Sequence, residues 1–141
     1  MMPNIIKFEK EHLSKINLAF ELTQSGKDSL ASYDDVIGYT GIDKDVILAI
    51  GGVHRMWDGV GEAWILVAKE GYKIPKTIAK YTDYLFQHIQ ETHELSRIQA
   101  SVCASDVRAN RYAQWLGFEK EGIMRKYGPD GTDYIRYARV I

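Results

Sequence analysis

A helix start flanked by two lysines is the clearest candidate anion-binding site in this 141-residue sequence. Pro75 predicts the first residue of a long helix, because its fixed φ and missing N–H do no harm there. Free backbone N–H groups in the first turn, together with the helix dipole, favour a phosphate at such a position. Lys73 and Lys76 can supply further positive charge, or they are two solvated lysines without a ligand.

The cysteine and the histidines, which often carry out catalysis or bind metals, show no spacing that predicts such a site. Cys103 is the only cysteine, so no internal disulfide can form. It closes an apolar run, and a reactive thiolate needs positive charge and some exposure, so we expect a buried structural thiol. His88 and His93 are separated by about 140° around a helix, so they cannot bind one metal ion together. The sequence has no metal-binding set, Ser-His-Asp set or paired-carboxylate motif.

The composition excludes several classes of protein. A hydrophobic fraction of 45% and a charged fraction of 26% indicate a globular protein rather than a disordered one. The 18 Lys and Arg residues and 19 Asp and Glu residues give a net charge of −1, which favours neither nucleic acid nor an anionic membrane as partner. No apolar run approaches the roughly 18 residues of a membrane span, and the start lacks a signal peptide's apolar region. We therefore expect one cytoplasmic domain over residues 1–141.

The elements that must position these residues alternate between strand and helix. β-branched and apolar runs indicate strands, and apolar residues that recur with a period of about 3.6 indicate helices. The predicted strands are residues 4–8, 45–53, 62–68, 97–102, 119–127 and 132–140. The predicted helices are residues 10–24, residues 75–93 and a third helix that Ser105 or Asp106 caps and Gly117 ends. Residues 27–43 show no lasting period and predict a short helix and loops.

The connections between these elements define the fold class. The Asp58-Gly59 step predicts a tight turn between two antiparallel strands. The strand–helix–strand unit of 62–68, 75–93 and 97–102 predicts a parallel pair with a right-handed crossover. The chain is therefore expected to be an α/β (α+β) domain, a mixed sheet with helices on both faces.

The last third of the sequence resembles the end of a GNAT-superfamily N-acetyltransferase. It reads Asp106-x-x-Ala109-x-x-x-Ala113-x-x-Leu116-Gly117-Phe118, then Glu121-Gly122 and a hairpin. The family usually has Asn-x-x-Ala-x-x-x-Tyr-x-x-Leu-Gly-Phe, then Glu-Gly and a final hairpin, and its order of elements fits nearly the whole chain. The Trp64-Ile65-Leu66 run looks most like short GNAT-like proteins encoded by bacteriophages, which would place the protein in a host cytoplasm.

The resemblance implies that acetyl-coenzyme A lies in a cleft where strands 62–68 and 97–102 splay apart. The sheet of this family is mostly antiparallel. Backbone near Leu66–Ala68 would polarise the thioester carbonyl, and the pyrophosphate would lie over the helix start at Pro75. The residues expected to bind the coenzyme are Leu66, Val67, Ala68, Lys73, Lys76, Thr77 and Asp106.

The resemblance also implies catalytic residues, with two departures from the family. Glu62 begins a central strand, where many members place the glutamate that accepts the amine's proton; the alternative is an exposed strand-end residue. The usual phosphate loop is missing, because residues 70–75 contain only Gly71. The family's acid tyrosine falls at Ala113. Tyr112 is adjacent but about 100° away around the helix, so it is either a catalytic residue or a core residue.

Two functions follow from these observations. The first is acetyl transfer from acetyl-coenzyme A, by direct attack, to an unidentified amine on a small molecule or a protein. The alternative is a noncatalytic GNAT-like interaction or assembly protein. It is suggested because both departures affect residues that in the family bind the coenzyme or protonate its thiolate. The acceptor depends on residues 24–43 and the final hairpin, and exposed edge strands would permit a homodimer.

Overall fold

The computed structural model describes residues 3–18 and 36–141. The strands are β1 (Asn4–Lys7), β2 (Val36–Asp43), β3 (Val46–Trp57), β4 (Val60–Val67), β5 (Arg97–Cys103), β6 (Glu119–Met124) and β7 (Tyr134–Val140). The helices are α1 (His12–Lys15), α2 (Pro75–Thr92) and α3 (Val107–Trp115), and a 3₁₀ turn spans Gly71–Lys73.

The strands of the described residues form one sheet in the order β1-β2-β3-β4-β5-β7-β6. Every neighbouring pair is antiparallel except β4 and β5, which run parallel. The connection between the parallel strands contains α2, because such a pair needs a long crossover. The predicted mixed, mostly antiparallel sheet is confirmed.

The parallel pair separates soon after it begins. β4 and β5 are paired only at Val60 with Arg97, Gly61 with Ile98, and Glu62 with Gln99. Residues 63–67 and 100–103 continue as strands without pairing to each other. The predicted splay between the two central strands is therefore present, and it begins directly after Glu62.

Helices cover both faces of the sheet, as predicted. On one face, Leu13 of α1 packs with Ile47 and Ile50 of β3 in a small apolar cluster. On the other face, α2 and α3 cover the larger core, whose buried members include Phe86 and Leu116. Alternate residues of β4 belong to the two clusters, because successive side chains of a strand point to opposite faces.

The ends of α3 follow local signals in the sequence. A side-chain oxygen of Asp106 accepts a hydrogen bond from the N–H of Ala109 at 3.0 Å, which caps the first turn. Gly117 ends the helix with φ +80°, and the N–H of Phe118 donates to the carbonyl of Ala113 at 3.0 Å. Both ends were predicted correctly. None of the helices in the described part of the chain is long and apolar enough to cross a membrane.

The first helix is shorter than its apolar period indicated. The predicted helix over residues 10–24 is wrong for residues 16–18, because the helix ends at Lys15 and Ile16 is extended with ψ 133°. Leu18 then forms an isolated antiparallel bridge with Ala68 at the end of β4. Tertiary pairing with the sheet therefore overrides the helical period, and residues 19–24 lie outside the described residues.

The second correction concerns residues 27–43, which were predicted as a short helix and loops. Residues 36–43 form β2 instead, and residues 27–35 lie outside the described residues. Gly38 and Gly41 weaken the strand signal in the sequence. Gly38 has a packing role, since a Cβ added there would lie 3.1 Å from Cβ of Phe8.

Candidate functional site

A cleft of about 380 Å³ opens between β4 and β5 where the two strands part. Residues 63–67 form one wall and residues 100–103 the other, and α3 closes the side nearest the larger core. Ala63 and Val67 belong to the larger core, whereas Trp64 and Leu66 pack against the smaller cluster on the opposite face. The cleft is therefore lined from both faces, so it passes through the sheet.

The backbone of β4 offers polar groups to this cleft. Residues 63–67 pair with β3 along one edge, and no described strand pairs with their other edge. The backbone of Leu66–Ala68 was predicted to bind the thioester carbonyl. The N–H of Ala68 is not available for this, because it already donates to the carbonyl of Leu48 at 2.9 Å. Leu66 and Val67 line the cleft and Ala68 does not.

Two buried polar side-chain atoms in the cleft walls have no hydrogen-bond partner among the described residues. They are Nε1 of Trp64 and Oγ of Ser101. Buried polar atoms in proteins are almost always hydrogen-bonded, so these two atoms of cleft-lining residues are candidates for a bond to a ligand or a water molecule. Neither Trp64 nor Ser101 is among the site residues that the sequence predicts.

An ion pair lies at the closed end of the cleft. Glu62 is the last residue of β4 that pairs with β5. Its two carboxylate oxygens both accept hydrogen bonds from Nη1 of Arg136, at 3.1 and 3.0 Å. The side chains are 28% and 21% exposed, respectively. Arg136 lies on β7, so it reaches Glu62 across the intervening strand β5. The structure thus places Glu62 next to Ala63, the first cleft-lining residue of β4, and adds a partner that the sequence did not indicate.

Tyr112 lines the cleft, and its position favours a structural role. The residue is buried, and its hydroxyl donates to the carbonyl of Pro75 at 3.2 Å. Burial, and then the neighbouring Tyr72, raise the pKa of Tyr112 to about 12. A thiol has an ordinary pKa of about 8.5, so proton transfer from Tyr112 to a thiolate would be uphill by about 3 to 4 pKa units. Tyr112 connects α3 to the start of α2.

The sequence predicts that a phosphate binds at the start of α2, and this requires backbone N–H groups without a partner in the helix. No side chain caps this helix, Pro75 has no N–H, and the N–H of Ile78 donates to the carbonyl of Ile74. The N–H groups of Lys76 and Thr77 therefore have no partner within residues 3–18 and 36–141 and can donate to a ligand. Lys73 and Lys76 are exposed, and the bond from Tyr112 to Pro75 joins this helix start to the cleft wall.

A third cation lies at the same end of the cleft, on α3. The guanidinium of Arg108 lies over the ring of Tyr72, 4.6 Å from its centroid, and Tyr72 lines the cleft. Burial and then the charge of Asp106 raise the pKa of the Tyr72 hydroxyl. Asp106 also lines the cleft, but its carboxylate caps α3 and so has a structural role of its own.

The single glycine of the loop after β4 is explained by packing. Gly71 is buried, and a Cβ there would come within 2.3 Å of the carbonyl oxygen of Leu48. Only glycine allows the 3₁₀ turn to approach β3 this closely. Gly71 therefore positions the loop against the sheet.

Replacing Gly71 with alanine is expected to lower the free energy of unfolding by about 1–3 kcal/mol, because the added methyl group forces the turn away from β3. Urea denaturation followed by circular dichroism measures the effect. Gly122→Ala is the matched control, because a Cβ at that position meets nothing within 4 Å. Equal destabilisation of the two variants would contradict the explanation.

Cys103 differs from the sequence prediction of a buried structural thiol. It lies at the end of β5, is partly exposed and lines the cleft. A hydrogen bond from the Ser105 hydroxyl, with an Oγ to Sγ distance of 3.4 Å, is the main cause that lowers the pKa of the thiol. The prediction was wrong because β5 has separated from β4 before Cys103, so this residue lines an open cleft and not a closed part of the core.

The position of Cys103 predicts its reactivity. Because its pKa is lowered, iodoacetamide should alkylate the folded protein with a midpoint below the usual pH of about 8.5. Ser105→Ala should move that midpoint upward. Saturating acetyl-coenzyme A should slow the alkylation at least about tenfold, because the thiol lines the cleft. Mass spectrometry gives the rates, and equal rates with and without the coenzyme would refute the placement of the ligand.

Solved structures of other proteins resemble this chain, whereas comparisons of its sequence find no match. No family model and no curated protein matches the chain. A Bacillus subtilis acetyltransferase in complex with CoA is similar, with a TM-score of 0.77, 15% identity, and coverage of 99% of this chain and 99% of that chain. The Escherichia coli ribosomal-protein-S18-alanine N-acetyltransferase has a TM-score of 0.73 and 21% identity, covering 99% of this chain and 94% of its own.

A spermidine N-acetyltransferase from Vibrio cholerae is also similar, with a TM-score of 0.73 and 13% identity over 97% of this chain and 94% of that chain. The chain therefore has the GNAT fold of these N-acetyltransferases, as the sequence predicted. The comparisons give no support to the narrower resemblance to bacteriophage proteins.

Proposed function

We propose that this chain is an N-acetyltransferase that transfers the acetyl group of acetyl-coenzyme A directly to an amine. The observation that carries the proposal is the cleft through the sheet, which opens directly beyond Glu62. Structurally similar proteins include a CoA complex, a spermidine N-acetyltransferase and a ribosomal-protein-S18-alanine N-acetyltransferase. The acceptors named for the last two are both amines.

The residues of the cleft fit this coenzyme. Its pantetheine arm contains amide groups, which suit the unpaired edge of β4 at Leu66 and Val67 and the partnerless Trp64 Nε1 and Ser101 Oγ. The bound coenzyme supplies a reactive thioester. The cleft walls are otherwise largely apolar, as is usual for small-molecule sites.

The cations at the start of α2 compensate for the missing glycine loop. Free N–H groups at Lys76 and Thr77, with the helix dipole, provide an anion site for the pyrophosphate. Lys73, Lys76 and Arg108 add three positive charges from three elements, the 3₁₀ turn, α2 and α3. A guanidinium can hold a phosphate with two parallel hydrogen bonds from its planar fork, a geometry that lysine lacks.

The chain's own catalytic contribution centres on Glu62. An acceptor amine is an ammonium at neutral pH and must lose a proton before it can attack. The Glu62 carboxylate lies at the closed end of the cleft and takes that proton, while Arg136 holds the carboxylate in position. A thiolate leaves tolerably well unprotonated near neutral pH, so the reaction does not require Tyr112 as an acid.

The proposal is tested by incubating the protein with acetyl-coenzyme A and a panel of amines. The panel comprises polyamines, peptides with free N-termini, amino acids and their amides. Amine-dependent release of free thiol, with the acetylated amine identified by mass spectrometry, is the expected result. Coenzyme binding without an acetylated product from any class of amine would contradict the proposal.

A further inference from the structure

We propose that the acyl group on the coenzyme extends beyond acetyl, and that a small apolar cavity beneath α2 receives its tail. The donor class is then short, straight-chain acyl-coenzyme A up to butyryl, with acetyl-coenzyme A as its smallest member. This inference rests on the proposed function, because it names the donor that the same cleft binds. It is drawn from a second cavity that shares a wall with the cleft.

The second cavity lies between α2 and the sheet and has a volume of about 30 Å³. Two of its lining residues, Ile65 of β4 and Phe86 of α2, also line the cleft. Both side chains pack in the larger core, on the face of the sheet that α2 covers. Ile65 and Phe86 therefore form the partition between the cleft and the cavity.

The lining of the cavity is mostly apolar. On the helix side it includes Ile78, Thr82 and Ile89. The hydroxyl of Thr82 is already used, because it donates to the carbonyl of Ile78 at 2.7 Å. A buried water needs two to four polar partners, and cavities lined by apolar side chains stay dry and bind apolar groups. The chemistry of the cavity therefore suits a hydrocarbon tail.

Two glycines on the sheet side leave this space open. Neither Gly41 nor Gly51 has a positive φ. A Cβ added at Gly41 would lie at least 3.7 Å from its neighbours, and one added at Gly51 at least 3.8 Å, which is ordinary van der Waals contact. Backbone conformation and close packing thus do not require glycine here, although glycine weakens a strand. The consequence of both glycines is unfilled volume beneath α2.

The expected path of the coenzyme leads to the partition. Its pyrophosphate lies at the start of α2, and its thioester lies beside the backbone of Leu66 and Val67. The acyl group extends from there towards Glu62 and so passes Ile65, the next residue along β4. Ile65 is only partly buried, so a change of its side-chain rotamer opens the way beneath α2.

The volume of the cavity limits the length of the tail. A group of the size of a water molecule needs about 10–15 Å³ of such space, so the cavity holds about two methylene-sized groups. Butyryl has two carbons more than acetyl and fills it. The transfer step is the same for each donor: the amine nitrogen bonds to the acyl carbon, the C–S bond breaks, the coenzyme leaves as its thiolate, and Glu62 takes the proton.

The test begins with binding, which needs no acceptor. The wild-type protein is titrated calorimetrically with acetyl-, propionyl-, butyryl- and hexanoyl-coenzyme A. Affinity should rise about threefold with each added carbon up to butyryl, about tenfold in total, and should not rise further with hexanoyl. The gain is below the roughly fourfold per fully buried methylene, because the tail loses rotational freedom.

Variants then locate the tail. Gly51→Ala places a methyl group in the cavity, 3.9 Å from Cγ1 of Ile65, and should remove the gain for butyryl while affinity for acetyl-coenzyme A stays within about twofold. Ile65→Ala removes part of the partition and should extend the gain to hexanoyl, so the two variants act in opposite directions. Gly122→Ala is the matched control and should keep the wild-type series, because its Cβ meets nothing within 4 Å. Circular dichroism checks that each variant is folded.

A competition experiment provides the second readout. With equal concentrations of acetyl- and butyryl-coenzyme A and an accepted amine, mass spectrometry should find the butyrylated product from the wild-type protein, and Gly51→Ala should shift the products to acetyl.

Three results would count against the inference. Butyryl-coenzyme A that binds no tighter than acetyl-coenzyme A would overturn it and leave the proposed function standing. A butyryl gain that survives in a folded Gly51→Ala variant would overturn the assignment of the cavity. No binding of any of the four esters would overturn the proposed function, and the inference with it.

Discussion

Replacing Glu62 with glutamine is expected to lower kcat/KM for acetyl transfer by roughly 10²- to 10⁴-fold, the usual contribution of a general base. The amide preserves the size of the side chain and can still accept a hydrogen bond from Arg136, but it cannot take up a proton near neutral pH. Affinity for acetyl-coenzyme A should be unchanged, because Glu62 lies beyond the residues that line the cleft. Steady-state kinetics at saturating coenzyme, with calorimetry for the affinity, measure both quantities.

Glu121→Gln is the matched control for this prediction. Glu121 is also a glutamate paired with an arginine, but its side chain is 41% exposed and its partner is Arg97. Exposed pairs contribute little, so kcat/KM should change by less than about threefold. Turnover by Glu62→Gln equal to that of the wild-type protein would refute the assignment of the base.

Replacing Cys103 with tryptophan is expected to weaken acetyl-coenzyme A binding at least about 100-fold, because the indole would fill space that the ligand needs. Cys103 is partly exposed on the cleft wall, so the larger side chain can project into the cleft of about 380 Å³ rather than into the core. The fold should survive, and circular dichroism checks this point. Calorimetric titration gives the affinity.

Cys103→Ala controls for loss of the thiol itself. It removes volume from the wall and should keep the affinity within about threefold of wild type, because no described polar contact of the core depends on this thiol. A Cys103→Trp variant that binds the coenzyme as tightly as Cys103→Ala would place the ligand elsewhere on the molecule.

Local signals in the sequence were sufficient for much of the fold. Pro75 marks the start of α2, Asp106 caps α3 and Gly117 ends it, since each effect depends on residues within one or two turns. β2 was missed because its glycines remove the β-branched pattern. The helix predicted over residues 10–24 ended early because Leu18 pairs with Ala68, far away in the sequence.

The candidate site was only partly predictable for the same physical reason. Glu62 could be placed from the strand predicted over residues 62–68, although β4 begins two residues earlier, at Val60. Its partner Arg136 is 74 residues away and two strands distant, so it becomes visible only once the strand order is known. The contact from Tyr112 to Pro75 spans 37 residues and joins two helices. Such contacts depend on tertiary packing, which no local period encodes.

The splay itself is not encoded in any single residue. The β4 sequence is nearly all apolar and resembles a strand that is buried on both faces, which gives no sign of where its pairing with β5 stops. The structure pairs it with β5 at three positions only, and the resemblance to a known fold supplied this expectation. The same opening changes the environment of Ser101 and Cys103, because both residues line the cleft between the separated strands.

Calorimetric titration of the purified protein with acetyl-coenzyme A tests the central claim, that the cleft between β4 and β5 binds this coenzyme. The account predicts one site per chain, with a dissociation constant in the micromolar range that Cys103→Trp weakens and Gly122→Ala does not. Such a result would show that the start of α2 and its cations replace the missing glycine loop. No binding at millimolar coenzyme would contradict the account and would favour a noncatalytic interaction protein with a GNAT fold.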